Sequence, residues 1–261
     1  MLLKWVDHED FHKYERLIAI IQECGMVSLR QLAIITGWSV YTVKNAIHHI
    51  RQYQSASSGT EPSQWIQIYR LRRGNQDGSA YRLGVKAVEA YFQMTGMDGR
   101  AKEATQFQAM HYLGTNEILI RILETGIPKE RITWHNTYEA TEVLVRFHEK
   151  LGIPMDRRDY IRPDAFLTID GAGYWLEYDN DTEGTRKIER KLHSYVKTLI
   201  PKPEVEPYPV IWVAPSGRRR DYLQTIWEGM KKMYYKDVPV PPMHFFVAGE
   251  ETDPLLFKQL I

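Results

Sequence analysis

Arg162-Pro163-Asp164-Ala165-Phe166-Leu167-Thr168-Ile169-Asp170-Gly171-Ala172-Gly173-Tyr174-Trp175-Leu176-Glu177-Tyr178-Asp179 reads as two strands folded back on each other. Ile161 to Ile169 forms the first strand, Asp170 to Gly173 the turn region and Tyr174 to Asp179 the return. Two registers are compatible with this stretch. A Gly171-Ala172 loop pairs Asp164 with Asp179, and an Asp170-Gly171 loop pairs Asp164 with Glu177. In both, Asp164, Glu177 and Asp179 share one sheet face, because side chains alternate along a strand and cross-strand partners point the same way. Carboxylates gathered on one face repel one another unless a cation or a basic partner neutralises them.

Toward the C-terminus, Thr185 to Ile200 places Ile188, Leu192, Tyr195, Val196 and Leu199 at helical spacing and stops at Pro201. Pro209 to Val213 reads as a buried strand, Arg218 to Met233 as a helix and His244 to Val247 as a last strand. On the other side, Thr105 to Glu124 reads as a long helix with Phe107, Met110, Gly114 and Ile118 along one side. Glu117 falls at the edge of that stripe, within reach of a site beside the core. Arg131 to His135 and parts of Tyr138 to Phe147 read as strands.

This α/β order resembles a restriction-endonuclease-like core. In that fold the PD-(D/E)xK motif holds a divalent metal on its acids, and the Lys orients the nucleophile. Asp164 and Glu177 match the acidic positions, while Asp179 stands where the Lys belongs. Lys187 or Lys191 from the following helix, four apart on one face, would substitute, with Lys191 the better placed. The resemblance implies Asp164, Glu177, Asp179 and Lys191 as the catalytic set, with Mg²⁺ or Mn²⁺ on Asp164, Glu177 and Glu117. The alternative is a solvated sheet face paired with Lys187 or Lys191.

The N-terminal third follows a different pattern. Tyr14, Leu17, Ile18 and Ile21 mark a helix that stops near Gly25. Ser28 caps a short helix with Leu29, Leu32 and Ala33 inward, and Gly37-Trp38-Ser39 turns into a helix from Val40 to Gln52. Val40, Val43, Ile47 and Ile50 are its expected buried stripe. Its outward face offers Ser39, Tyr41, Thr42, Lys44, Asn45, His48 and Arg51, with no acid among them. Ser55 to Ser63 is a polar connector. A hairpin follows, Trp65 to Arg72 and Ala80 to Leu83 around Gly74 to Gly78, carrying Arg70, Arg72, Arg73 and Arg82. The expectation is a winged helix-turn-helix over residues 1–98 and the nuclease-like domain over 99–261, α/β overall.

Between Ser28 and Lys86 eight basic residues face two acidic ones, a local balance of +6, against +1 for the whole chain. That is the electrostatic footprint of a double-stranded DNA partner. A protein–protein module with solvated arginines is the rival reading. Cys24 is the single cysteine, so no internal disulfide forms, and it reads as a buried small residue. No apolar run has the roughly 20 residues a membrane span needs, which points to a cytoplasmic protein.

Several segments together resemble the replication-relaxation family of plasmids and integrative elements, mostly of Gram-positive bacteria. They are Met110 to Ile118, Arg162-Pro163-Asp164-Ala165, Leu176-Glu177-Tyr178-Asp179 with Thr182-Glu183, and Lys191-Leu192 with Tyr195. In that family a Glu followed by x-Asp is usual, which makes Asp179 a family trait. Arg-Gly often follows that Asp, where this chain has Asn180-Asp181. The resemblance implies an accessory role in plasmid replication and DNA relaxation, beside a relaxase or replication initiator, with oligomeric state open and a dimer one arrangement. The other readings are a metal-dependent endonuclease aimed by its winged helix and a transcriptional regulator.

Overall fold

The structure, a computed structural model, describes residues 2–73, 76–96, 108–152, 160–199 and 208–257, with backbone alone at 72, 73, 76 and 77. The chain divides into two compact units, Met1–Ile127 and Pro128–Ile261. Residues 97–107, which contain the expected boundary at 98/99 and the start of the long helix, lie outside the described residues.

The first unit begins with α1 (Lys13–Cys24), closed at its N-terminus by a capping box between His12 and Glu15. The two-residue strand β1 (Val27–Ser28) leads into α2 (Leu29–Thr36), where Ser28 and Gln31 form a second capping box. Gly37 ends α2 in the left-handed conformation that glycine tolerates best, and α3 (Val40–His49) starts behind a Ser39 cap. The helical path does not end near Gln52 as its periodicity suggests. It continues through a π-helical turn (Ile50–Gln54) and a short α4 (Ser55–Ser58), so the serine-rich connector is partly helical. Serine hydroxyls returning to carbonyls four residues back sustain that turn, among them Ser58 Oγ to Gln54 O at 2.5 Å.

β2 (Ile66–Arg73) and β3 (Gln76–Leu83) form an antiparallel hairpin, with β1 on the outer side of β3. Gln76, Asp77 and Gly78, expected in the turn, are part of β3. α5 (Val85–Thr95) and α6 (Ala109–Glu124) complete the unit. α6 is buried on more than the expected single stripe: Thr115, Asn116, Ile118, Leu119, Ile120 and Ile122 are all covered. Asn116 justifies its place by donating Nδ2 to the carbonyls of Cys24 at 3.2 Å and Met26 at 2.8 Å. Cys24 is buried as expected, and burial pushes its thiol pKa far up.

The second unit is a five-stranded mixed sheet in the order β4 (Ile132–Asn136), β5 (Ala165–Ile169), β6 (Ala172–Tyr178), β7 (Val210–Ala214), β8 (Met243–Val247). β5 pairs antiparallel with both β4 and β6, and β7 pairs parallel with both β6 and β8. The parallel connections pass through α8 (Thr185–Thr198) and α9 (Gly217–Tyr234), as parallel pairing requires. α7 (Thr137–Lys150) joins β4 to β5, and a short α10 (Thr252–Leu256) follows β8. The Tyr138–Phe147 segment is thus helical rather than extended. Asn136 caps it through Oδ1 to the N–H groups of Tyr138 and Glu139, and Ala140, Leu144, Val145 and His148 form its buried stripe.

One face of the sheet presents Phe166, Trp175, Trp212 and Ala214 to residues of α7, α8 and α9, including Leu144, Ile188, Leu192, Leu223 and Trp227. Burying such side chains contributes about 1.5–3 kcal/mol each, and this aromatic layer fixes where the polar members of the same face sit. Among the described residues no helix is long and apolar enough to cross a membrane.

Candidate functional site

The β5–β6 hairpin resolves the register left open by sequence. Ile169 pairs with Ala172, so Asp170-Gly171 is the loop. Both loop residues have positive φ, 48° and 81°, the geometry for which Asp-Gly is suited. Arg131 donates Nε to Asp170 Oδ1 at 2.8 Å and holds the turn from outside. Continuing the register sets Asp164, one residue before β5, opposite Glu177. Asp164 turns its Oδ2 onto the N–H of Tyr178 at 2.8 Å, which fixes that carboxylate beside β6.

Glu177 is fully buried. It accepts the Tyr195 hydroxyl hydrogen bond on Oε1, and the Lys191 ammonium sits against Oε2. Tyr195 and Lys191 are four apart on α8 and so point to the same place. Lys191 Nζ also lies over the Trp212 ring, 5.3 Å from its centroid. Burial, and then the charge of Asp164, push Glu177 up to about 8, against the pull of Lys191 and Tyr195. The neighbouring carboxylates hold the Lys191 ammonium above the usual lysine range, and Tyr195 is raised by burial and by Glu177. Lys187 takes a different role, pairing with Glu183 one turn earlier.

Asp179 shares the face of Glu177 but is otherwise engaged. Arg219 of α9 grips it with two bonds, Nε to Oδ1 and Nη2 to Oδ2, both 2.8 Å, and both side chains are buried. Arg219 also donates to Glu183 O at 2.7 Å and reaches Asp181 at 3.3 Å. Sequence reading missed this arginine. The surplus of acids at 179, 181 and 183 was the available signal that a cation had to arrive. Glu117 has its oxygens engaged inside the first unit, by Arg30 Nη1 at 2.7 Å and by Gln31 Nε2 at 2.9 Å.

Mg²⁺ is commonly held by one or two carboxylates together with waters and substrate phosphate, and Asp164 with Glu177 is such a pair. An ion held by both would have to displace the Lys191 ammonium from Oε2. Among the described residues no three His, Cys, Asp or Glu side chains converge as a protein-built metal site requires.

In the first unit, the outward side of α3 is as expected at Ser39, Tyr41, Thr42, Lys44, Asn45 and His48, all exposed, with Arg51 half-buried. Val40, at the first position of α3, departs from its expected buried stripe and is 49% exposed. Ser39 Oγ accepts from Thr42 N at 3.1 Å. On the hairpin, Arg70 is exposed. Arg82 lies with Gln67 and Tyr69 on the opposite face, donating Nε to Gln67 Oε1 at 2.7 Å and stacking 5.3 Å from the Tyr69 ring. Arg72 and Arg73 end β2, and their side chains lie outside the described residues.

The model of the replication-relaxation family matches residues 19–204, more than half of the chain. No curated protein and no solved structure matches it.

Proposed function

The chain belongs to the replication-relaxation family, and on that footing we propose that it is a DNA-binding accessory protein for replication and relaxation of a plasmid or other mobile element. The family itself suggests a role in that process. The carrying observation for DNA contact is α3, a capped helix whose exposed residues include a lysine, an asparagine, a histidine and three hydroxyl groups, with no carboxylate. The hairpin with exposed Arg70 follows it, which supports a winged helix-turn-helix in which α3 enters the major groove and the hairpin tracks phosphates. The partner is double-stranded DNA, with a relaxase or replication initiator as the protein partner and a dimer as one assembly.

A second reading is a Mg²⁺- or Mn²⁺-dependent endonuclease. The convergence of Asp164, Glu177 and Lys191 on one face of a mixed sheet flanked by helices favours it. In this reading Asp164 and Glu177 hold the cation, and Lys191 offsets charge at the scissile phosphate.

Supercoiled plasmid incubated with the protein and Mn²⁺, read for retardation and nicking together, separates the two. Retardation without nicking supports the accessory role. Nicking that is lost in Asp164→Ala and Glu177→Ala establishes the nuclease. Neither retardation nor nicking removes both. A shift of origin fragments over promoter fragments distinguishes replication from transcriptional control.

A further inference from the structure

An open groove runs beside α3, lined in part by Tyr41, Thr42, Asn45 and His48 of its outward face, and duplex reading does not account for the stack of three further rings that also lines it. Tyr14 stacks on His49 with centroids 4.2 Å apart and planes at 15°, and His49 stacks on Tyr53 at 5.0 Å and 18°. The series ends at Tyr53, which is 63% exposed. Tyr41, 74% exposed, and Asn45 also line the groove, N-terminal to His49 on the same helical path. Lys13 Nζ lies 5.0 Å from the Tyr14 ring centroid at one end. Among the described residues no carboxylate lines the groove.

We propose that this groove takes an unpaired DNA base, which extends the Tyr14–His49–Tyr53 stack on the outer face of Tyr53. The proposal rests on the DNA-binding reading above and adds the form of DNA that is bound. Three parallel rings ending in an exposed one leave the next stacking position for a flat ligand. Lys13, at the Tyr14 end of the stack, supplies charge for the strand's phosphates. Aromatic platforms with nearby cations are how proteins hold single strands. Paired bases have both faces covered by their neighbours, so only a locally opened strand offers a face to Tyr53.

The test uses two oligonucleotides carrying 2-aminopurine, one fully paired and one with the probe in a short unpaired bubble. The bubble is expected to bind about tenfold tighter than the duplex, with quenching of the probe. Tyr53→Ala should remove the quenching and about a tenfold share of bubble affinity while duplex affinity stays unchanged. Tyr53→Trp should keep both. Equal affinity for the two forms, or quenching that survives Tyr53→Ala, overturns the proposal and leaves duplex binding standing. Failure to bind either oligonucleotide overturns both readings.

Discussion

Glu177 and Asp179 are two residues apart on one strand, face the same way and do different work. Glu177 meets Lys191 and Tyr195 from α8, whereas Asp179 is locked by Arg219 from α9. Because Glu177 is raised to about 8, the folded protein keeps this proton through a pH range in which the unfolded chain, at about 4.3, has released it. Stability linked to Glu177 therefore falls as pH rises from about 4.3 to 8 and is level beyond. Thermal melts of Glu177→Gln against the native protein should show a melting-temperature difference that shifts in favour of the variant across that window. Parallel curves would show that Glu177 is ionised throughout. For the Asp179 pair, Arg219→Leu leaves a buried carboxylate without its partner and is expected to cost about 3–5 kcal/mol in denaturant unfolding. A cost below about 1 kcal/mol would mean that the pair is solvated.

At the level of elements, much was legible because local signals agreed with tertiary context. The Ser28 cap and the buried stripe of α8 appear where periodicity and capping put them, and the β5–β6 turn is one of the two the sequence allowed. Ser28→Ala removes half of a capping box and should cost about 1 kcal/mol, read by unfolding; no change would show that α2 is held by packing alone. The misreading of α7 has a physical cause. Thr137, Thr141, Val143 and Val145 are β-branched and favour strands, and the Ala140–Leu144–His148 stripe with the Asn136 cap outweighs them. The partners of the acids were harder to see. Arg219 is 40 residues from Asp179, and Arg30 is 87 from Glu117, distances over which no local pattern operates. Lys191 could be found because it lies one helix beyond the hairpin and shares a face with its own helix's core.

For the whole molecule, a net charge of +1 says little, and function depends on where the charge is placed. The segment from Ser28 to Lys86 carries a local surplus of cations, while in the second unit Glu177, Asp179 and Asp170 are engaged by Lys191, Arg219 and Arg131. DNA gripped through α3 and the hairpin should release counterions in proportion to the phosphates contacted. The direct measurement is anisotropy of a labelled duplex titrated with the full chain between about 50 and 200 mM salt, alongside Lys44→Ala and Arg70→Ala. Steep weakening with salt is expected for the native protein, with the logarithmic slope smaller by about one in each variant. Salt-independent affinity, or variants that match the native slope, would show that this face does not hold DNA.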